Sequence, residues 1–464
     1  MYTYQDLQQV NDGELIGFLH GAIVAYCGEK EYVDAEIAEE YYKRRNVTIM
    51  EYQKLLYTIT GKAIPDNYSA NFKLRSNWLY YFVTQLNQYL LGNGVTFKDD
   101  GTKEKLGKDF DKMLKKAGKC AQVHNVSYGF FNLNHLEVFS KLEFCPFFDE
   151  ENGALCAGLR FWQIDPTKPL RATYYELDGY TELIWRKGEE GEVLEPKRAY
   201  TKVVRHSDVD GTEIYDGDNY PTFPIVPLWG INKQSELEGR RESIDCYDLI
   251  KSGFANTVDE ASYIYWAIQG AEGMKDMDLA KFVERMRALH AAVVDAEGAK
   301  AEPNHIEAPY ASREALLDRL AQDLHRDFMG LDIRNIASGA DTATQIKAAY
   351  EWLDEKASDY EDGVFAFIDG ILAIAGIEGE VPTLSRSKIV NTGEEITNVL
   401  QAADSLTPDY VTRKILTLLG DGDLADEIIN ERDAEDIEKL DIETAENAEE
   451  PQEVEQPNIP PETE

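Results

Sequence analysis

Eighty-six aspartates and glutamates in one chain place carboxylates within reach of one another almost anywhere, so no pair stands out as a general acid and base. The motifs that single out a reactive group are missing. There is no glycine-rich phosphate loop closing on Gly-Lys-Ser or Gly-Lys-Thr, no nucleophile elbow and no metalloprotease His-Glu signature. Gly92-Asn93-Gly94 lacks a third glycine and follows a helical pattern, so it fails as a dinucleotide fingerprint. The seven histidines (His20, His124, His135, His206, His290, His305 and His325) are scattered without metal-ligand spacing and read as solvated or core side chains. Asp208-Val209-Asp210-Gly211 and Asp216-Gly217-Asp218 resemble pieces of a calcium loop, but Glu213 stands where the loop needs glycine; a polar hairpin turn is the better reading. Asp421-Gly422-Asp423 fails in the same way. Cys27, Cys120, Cys145, Cys156 and Cys246 are odd in number and form no CxxC pair, which predicts reduced, buried thiols. No catalytic residue, metal site or cofactor is expected.

Charge narrows the classes further. The formal net charge is -39, against a protein that wraps nucleic acid in a basic face. From Gly420 to Glu464 there are 18 acidic residues against Arg432 and Lys439, so this tail carries -16 and the remainder -23. Nucleic acid handled by such a body is expected to slide past it without being gripped. Met1-Tyr-Thr-Tyr-Gln-Asp has no basic run before an apolar stretch, so no signal peptide is expected. Leu15–Tyr26 and Val364–Ile377 are too short to span a bilayer, and the second contains Asp369; no membrane association is expected.

The elements that would position any site follow from periodicity. Residues 1–60 read as helical, with three-and-four spacing in Ala35–Tyr42 and Met50–Tyr57. Asn71–Leu91 predicts a long amphipathic helix through Phe72, Trp78, Phe82, Leu86 and Tyr89, stopped by Gly92-Asn93-Gly94. An extended piece at Val95 and a charged helix over Lys103–Val123 come next. Between Gly129 and Leu228 the texture is β, with strands at Phe144–Phe148, Leu155–Ile164, Arg171–Leu177, Thr181–Trp185 and Ala199–Val204. Pro221, Pro224 and Pro227 close that block as a connector without regular structure. Helix returns over Ser235–Tyr263. A mixed insert from Ile264 to Ala308 contains a helix at Leu279–His290 and a strand at Ala292, and a helix over Ser312–Phe328 succeeds it. Periodicity fails over Met329–Asp341. Thr342 then caps a helix to Ala375 that spans roughly 50 Å at 1.5 Å per residue. Glu394–Leu419 and Asp426–Leu440 predict acidic helices, and the charged, proline-bearing remainder predicts disorder.

Four stretches in order resemble the portal proteins of siphophages. The first is Asn67 and Asn71-Phe-Lys73 with the run Phe82-Val-Thr-Gln-Leu-Asn-Gln-Tyr-Leu-Leu-Gly-Asn-Gly-Val-Thr-Phe97. The second is Phe144-Cys-Pro-Phe-Phe-Asp149 with Gly158-Leu-Arg160; the third is Phe223-Pro-Ile-Val-Pro227, Asn232 and Ser243-Ile-Asp245-Cys-Tyr247; the fourth is Ser338-Gly339-Ala340 ahead of the long helix. Two positions depart from the pattern. Asn93-Gly94 stands where the family often has proline, and Asn125 falls near a common glycine.

The resemblance implies an α+β, mainly helical portal fold with wing, stem, clip and crown. Residues 1–66 would be the N-terminal helical part of the wing and 67–234 the rest of it, helices then strands. Residues 235–263 and 309–328 would form the outgoing and returning stem helices, 264–308 the clip, 329–341 the tunnel loop, 342–392 the strut helix and wing return, 393–440 the crown and 441–464 a disordered acidic tail. About twelve copies would close into a ring at the capsid vertex of the virion, assembled in the host bacterial cytoplasm. Double-stranded DNA would pass through its channel. Terminase, a head–tail adaptor, and the major capsid and scaffolding proteins would be partners. Arg334, Asn335, Ser338, Gly339 and Lys347 are the expected channel-loop residues, with Arg334 foremost. Lys281, Arg285 and Arg287 offer either a charged docking face on the clip or a solvated helix face. Arg313, Arg319 and Arg326, six and seven residues apart, are expected to meet acidic residues of an adjacent subunit. The competing expectation is a cytosolic multi-helix scaffold or adaptor with an acidic interaction tail.

Overall fold

The computed structural model describes residues 2–57, 62–66, 69–99, 101–207, 213–261, 265–269, 300–304, 310–332, 343–387, 392–432 and 434. The fold is α+β. It divides into two units, one of residues 1–333 and 349–387, the other of residues 334–348 and 388–464.

In the first unit, helix α1 (Tyr4–Gln8) begins at a capping box in which Thr3 and Asp6 satisfy each other's backbone. Helix α2 (Leu15–Cys27) lies on an antiparallel meander of five strands: β6 (Phe144–Phe148), β7 (Leu155–Trp162), β8 (Leu170–Glu176), β9 (Gly179–Trp185) and β10 (Glu192–Arg198). Leu19, Ile23 and Tyr26 pack against Phe147, Leu159 and Trp185. Gly158 of β7 faces the Phe144 ring, and a Cβ there would sit 2.1 Å from it; the ring crosses the sheet only because position 158 has no side chain.

Helix α7 (Phe110–His124) feeds the hairpin β4 (Val126–Asn132) and β5 (His135–Ser140). Asn125 ends the helix at φ +71°, the left-handed position that favours glycine and tolerates asparagine, which accounts for the residue found there. Strand β13 (Ile225–Trp229) pairs with β4, Ile225 opposite Phe130 and Trp229 opposite Val126. The proline-rich passage is therefore partly a strand, not a bare connector. Its sheet has the order β13-β4-β5, so Pro227 occupies an edge, where a missing ladder donor is tolerated.

Three expected helices are replaced, split or shortened. Met50–Tyr57 is not a helix: α4 (Val47–Glu51) stops, and β1 (Leu55–Tyr57) pairs with β2 (Ala63–Pro65). The charged helix is split into α6 (Gly101–Leu106) and α7 by Gly107, at φ +93°. Helix α5 spans only Trp78–Leu91, and residues 70–77 run without helix, leaving Phe72 51% exposed. Their backbone donors have another use. The N–H groups of Phe72, Leu74 and Ser76 donate to Asn256 (2.7 Å), Ser252 (2.9 Å) and Asp248 (2.8 Å) on helix α8 (Arg241–Ala261). Two residues of extended chain advance about 6.7 Å and four of helix about 6 Å, so every second amide meets every fourth side chain. Asp248 also accepts from the Asn46 amide, and burial pushes its carboxyl above the ordinary value.

The helix expected from Ser235 begins six residues later, because Ser235 and Glu236 bond back to the carbonyls of Val123 and Gln122 at the end of α7. Strand β14 (Tyr265–Gln269) pairs with β15 (Lys300–Asn304) in the mixed insert; Leu279–His290 and Ala292 lie outside the described residues. Helix α9 (Tyr310–Asp327) and the long α10 (Ala343–Ile374) follow as expected, and Tyr360, Val364, Phe367 and Ile371 of α10 are fully buried. In the second unit α11 (Thr392–Gln401) and α12 (Pro408–Leu419) are separate helices, since Pro408 starts a new one. The predicted disorder after 441 lies outside the described residues. Cys120 and Cys145 are buried as expected, Cys27 and Cys156 are half-buried, and Cys246 is exposed, contrary to expectation. Asp216 and Asp218 sit in β12 (Glu213–Asp218), paired with β11 (Thr201–Ser207); the turn at 208–212 lies outside the described residues.

Asp248→Ala would strand the Ser76 amide and the Asn46 side chain in the interior. Denaturant titration should show a loss of about 2–4 kcal/mol, whereas Cys246→Ala, on the exposed side of the same helix, should stay within about 0.5 kcal/mol. Equal effects would remove the stabilising role of the amide ladder.

Candidate channel hairpin

Helices α8 and α9 pack side by side and antiparallel. At one end Arg313 of α9 donates to the Gly253 carbonyl (3.3 Å) and Thr257 hydroxyl (2.6 Å) of α8, beside the Phe254–Tyr310 ring contact. At the other, Arg240 Nε donates to the Asp327 carbonyl (2.7 Å), and its guanidinium lies over the Phe328 ring. The strand pair β14–β15 lies in sequence between the two helices.

The foot of this hairpin is tied into the first unit by buried polar groups. Lys356 of α10 donates to Glu236 (2.7 Å) and to the Phe328 carbonyl (2.8 Å), with both charged side chains about 95% buried. Burial pushes the Lys356 ammonium below its ordinary value, and Glu236 opposes that shift. Just beyond α9, Gln85 of α5 grips the peptide of Leu331 from both sides: its Oε1 accepts the Leu331 N–H (2.9 Å), and its Nε2 donates to the Leu331 carbonyl (3.0 Å). Tyr81 donates to the same carbonyl (3.1 Å). Gly330 lies flat on Phe82, where a Cβ would come within 2.2 Å of the ring. The chain thus enters the expected tunnel loop from a fixed point.

The sites named from sequence are only partly brought together. Lys347 is exposed near the start of α10. Arg334, Asn335, Ser338 and Gly339, and the clip residues Lys281, Arg285 and Arg287, lie outside the described residues. Arg319 and Arg326 find acidic partners on their own helix, with Asp323 bonded to Arg319 (3.2 Å) and to Arg326 (3.1 Å), and Arg313 turns to α8. Those contacts are within the chain. Gln85, Lys356 and Glu236 were not singled out from sequence. Asp248, Ser252 and Asn256 did leave a signal, a polar stripe of period four where a core-facing helix should be apolar. Among the described residues no group of three or more His, Cys, Asp or Glu side chains could hold a metal ion. No described helix is long and apolar enough to cross a membrane. The described polar contacts fix the backbone at the foot of the hairpin, up to Leu331.

The model of the phage portal protein family, SPP1 Gp6-like, matches residues 22–407. The chain belongs to that family. The portal protein of Bacillus phage SPP1 is 23% identical over 408 residues, 78% of this chain and 76% of the relative. That of Clostridium phage phiCD119 is 25% identical over 155 residues, 32% of this chain and 34% of the relative. A chain from the virion of a native gene transfer agent particle matches with TM-score 0.41 at 10% identity, covering 73% of this chain and 88% of that one. A chain from the neck of such a particle matches with TM-score 0.37 at 10% identity, over 74% and 90%. Portal proteins are structural components of the phage head, and this one is not an enzyme.

Because Lys356 and Glu236 are buried together, removing one should cost more than removing both. Lys356→Met alone is expected to lose about 3–5 kcal/mol, and adding Glu236→Leu should recover part of that loss in denaturant titrations. Simple additivity of the two substitutions would show that the pair does not act as one unit.

Proposed function

We propose that this chain is the subunit of a portal ring of about twelve copies at the capsid vertex of the virion, and that double-stranded DNA enters and leaves through its bore. The observation that carries the reading is the rooted hairpin. In α9 only Ala321 and Leu324 are buried, while Leu316 is 45% and Arg319 67% exposed. Such a helix is more open than its apolar content favours, as expected of an element that completes its packing against a neighbouring copy. On this reading α8 and α9 are the stem, 264–308 the clip, 329–341 the tunnel loop, and residues 1–234 together with 342–392 the wing and strut. Residues 393–440 form the crown, and 441–464 remain an acidic tail.

The clip meets the terminase during packaging and the head–tail adaptor afterwards, while the wing faces capsid and scaffolding proteins during assembly in the host cytoplasm. A bore of the same sign as DNA keeps phosphate contacts few and friction low. Arg334 modulates passage from the loop, with Lys347 behind it. ATP hydrolysis belongs to the terminase, since this chain carries no nucleotide motif.

Particles assembled without this chain should contain no packaged DNA. With Arg334→Ala, DNA per particle, measured across a range of salt, should fall or be retained less well. Filled heads in the first case would overturn the portal role, and wild-type packaging at every salt in the second would remove Arg334 from the channel loop.

A further inference from the structure

Helix α7 contradicts the charge of the chain around it. Lys112, Lys115, Lys116 and Lys119 stand at positions i, i+3, i+4 and i+7, a single face about 10 Å long. Together they line a groove of 310 Å³ opposite Tyr42 of α3 (Lys30–Tyr42) and Tyr80 of α5, floored by Thr84, Asn87 and Gln88. Every side chain on that list carries an N–H or O–H donor, and none is a carboxylate.

The lysines are held but not neutralised. Lys115 donates to the Gly92 carbonyl (2.8 Å) and Lys116 to the Val138 carbonyl (3.0 Å), which leaves two N–H groups on each ammonium. Lys119 lies over the Tyr42 ring at 5.4 Å, and Arg44 over the Tyr80 ring at 4.8 Å. Lys112 has Asp109 at 3.9 Å, with both side chains more than 70% exposed, a contact of little strength. A second cavity of 340 Å³ shares Tyr42, Lys116 and Lys119. Its two carboxylates already have partners: Glu39 is bonded to His124 and Lys43, and Glu143 to Ser140.

We propose that this groove binds the phosphodiester backbone of nucleic acid, giving the portal subunit a DNA contact on α7, on a different element from the hairpin. The proposal rests on the portal reading for which polyanion is at hand. An acidic protein segment is the other candidate, and the lining disfavours it. A peptide also brings backbone N–H donors, which the four ammonium groups cannot accept. A phosphodiester is a charged acceptor with no donor of its own, and the four ammonium groups of the groove can only donate. Along 10 Å of duplex roughly three phosphates of one strand pass such a face. The groove is too small for a base pair, so contact is to the backbone and independent of sequence.

The test is anisotropy of a short fluorescein-labelled duplex with the full-length protein at several salt concentrations. Lys112→Ala/Lys119→Ala should weaken binding roughly tenfold or more and flatten the plot of log affinity against log salt by about two counterions. Lys168→Ala/Lys187→Ala, an equal charge change elsewhere on the first unit, should leave both quantities alone. Equal losses in the two double variants would mean attraction to net charge only, and the groove would fail. It would also fail if a peptide of residues 441–464 bound the groove in a lysine-dependent way while the duplex did not. Negative-stain images of the same samples separate the two claims: rings that ignore the duplex defeat the groove alone, and a chain that binds the duplex but forms no rings defeats the portal reading alone.

Discussion

One ammonium group holds the foot of the hairpin. Lys356, on the long helix, is out of water and reaches two segments distant in sequence, the Glu236 carboxylate before α8 and the Phe328 carbonyl after α9. Removing a charge from solvent is costly, and the cost is offset only while both partners stay in place. The contact therefore penalises any movement of α8 and α9 relative to α10. The amide ladder from Phe72 to Ser76 and the grip of Gln85 on Leu331 add directional restraints around the same foot.

How far the structure was legible in the sequence follows the kind of force that shapes each part. The long helix was legible because Tyr350, Tyr360, Val364 and Phe367 repeat at helical spacing and pack along one face. The strands from Phe144 to Trp185 were legible because turn residues separate β-rich runs. Residues 70–77 were not, because periodicity reports apolar burial, while the chain there answers to Asp248, Ser252 and Asn256 far away in sequence. Pro227 misled in the opposite sense: it denies a central strand and permits an edge, and which of the two applies depends on sheet order. The anchor at Lys356 was illegible too, without even the polar stripe that Asp248, Ser252 and Asn256 leave on their helix. A lone lysine in an amphipathic helix carries no mark of a partner 120 residues earlier.

The charge reading needs the same local correction. A net charge of -39 describes a body that repels DNA on average, yet four lysines of one helix face a groove without carboxylates. Averages over a chain set long-range repulsion, whereas contacts within a few ångströms depend on the nearest groups. On the proposed reading, weak repulsion along a bore and a discrete contact on α7 are compatible in one subunit.

The central claim, that copies of this chain close into an annulus around a channel, is tested most directly by imaging and weighing the purified protein. Twelve copies of the 52.5 kDa chain predict hollow, rotationally symmetric particles of about 630 kDa. A monodisperse particle of one or two chains at high concentration, with no central opening, would contradict it.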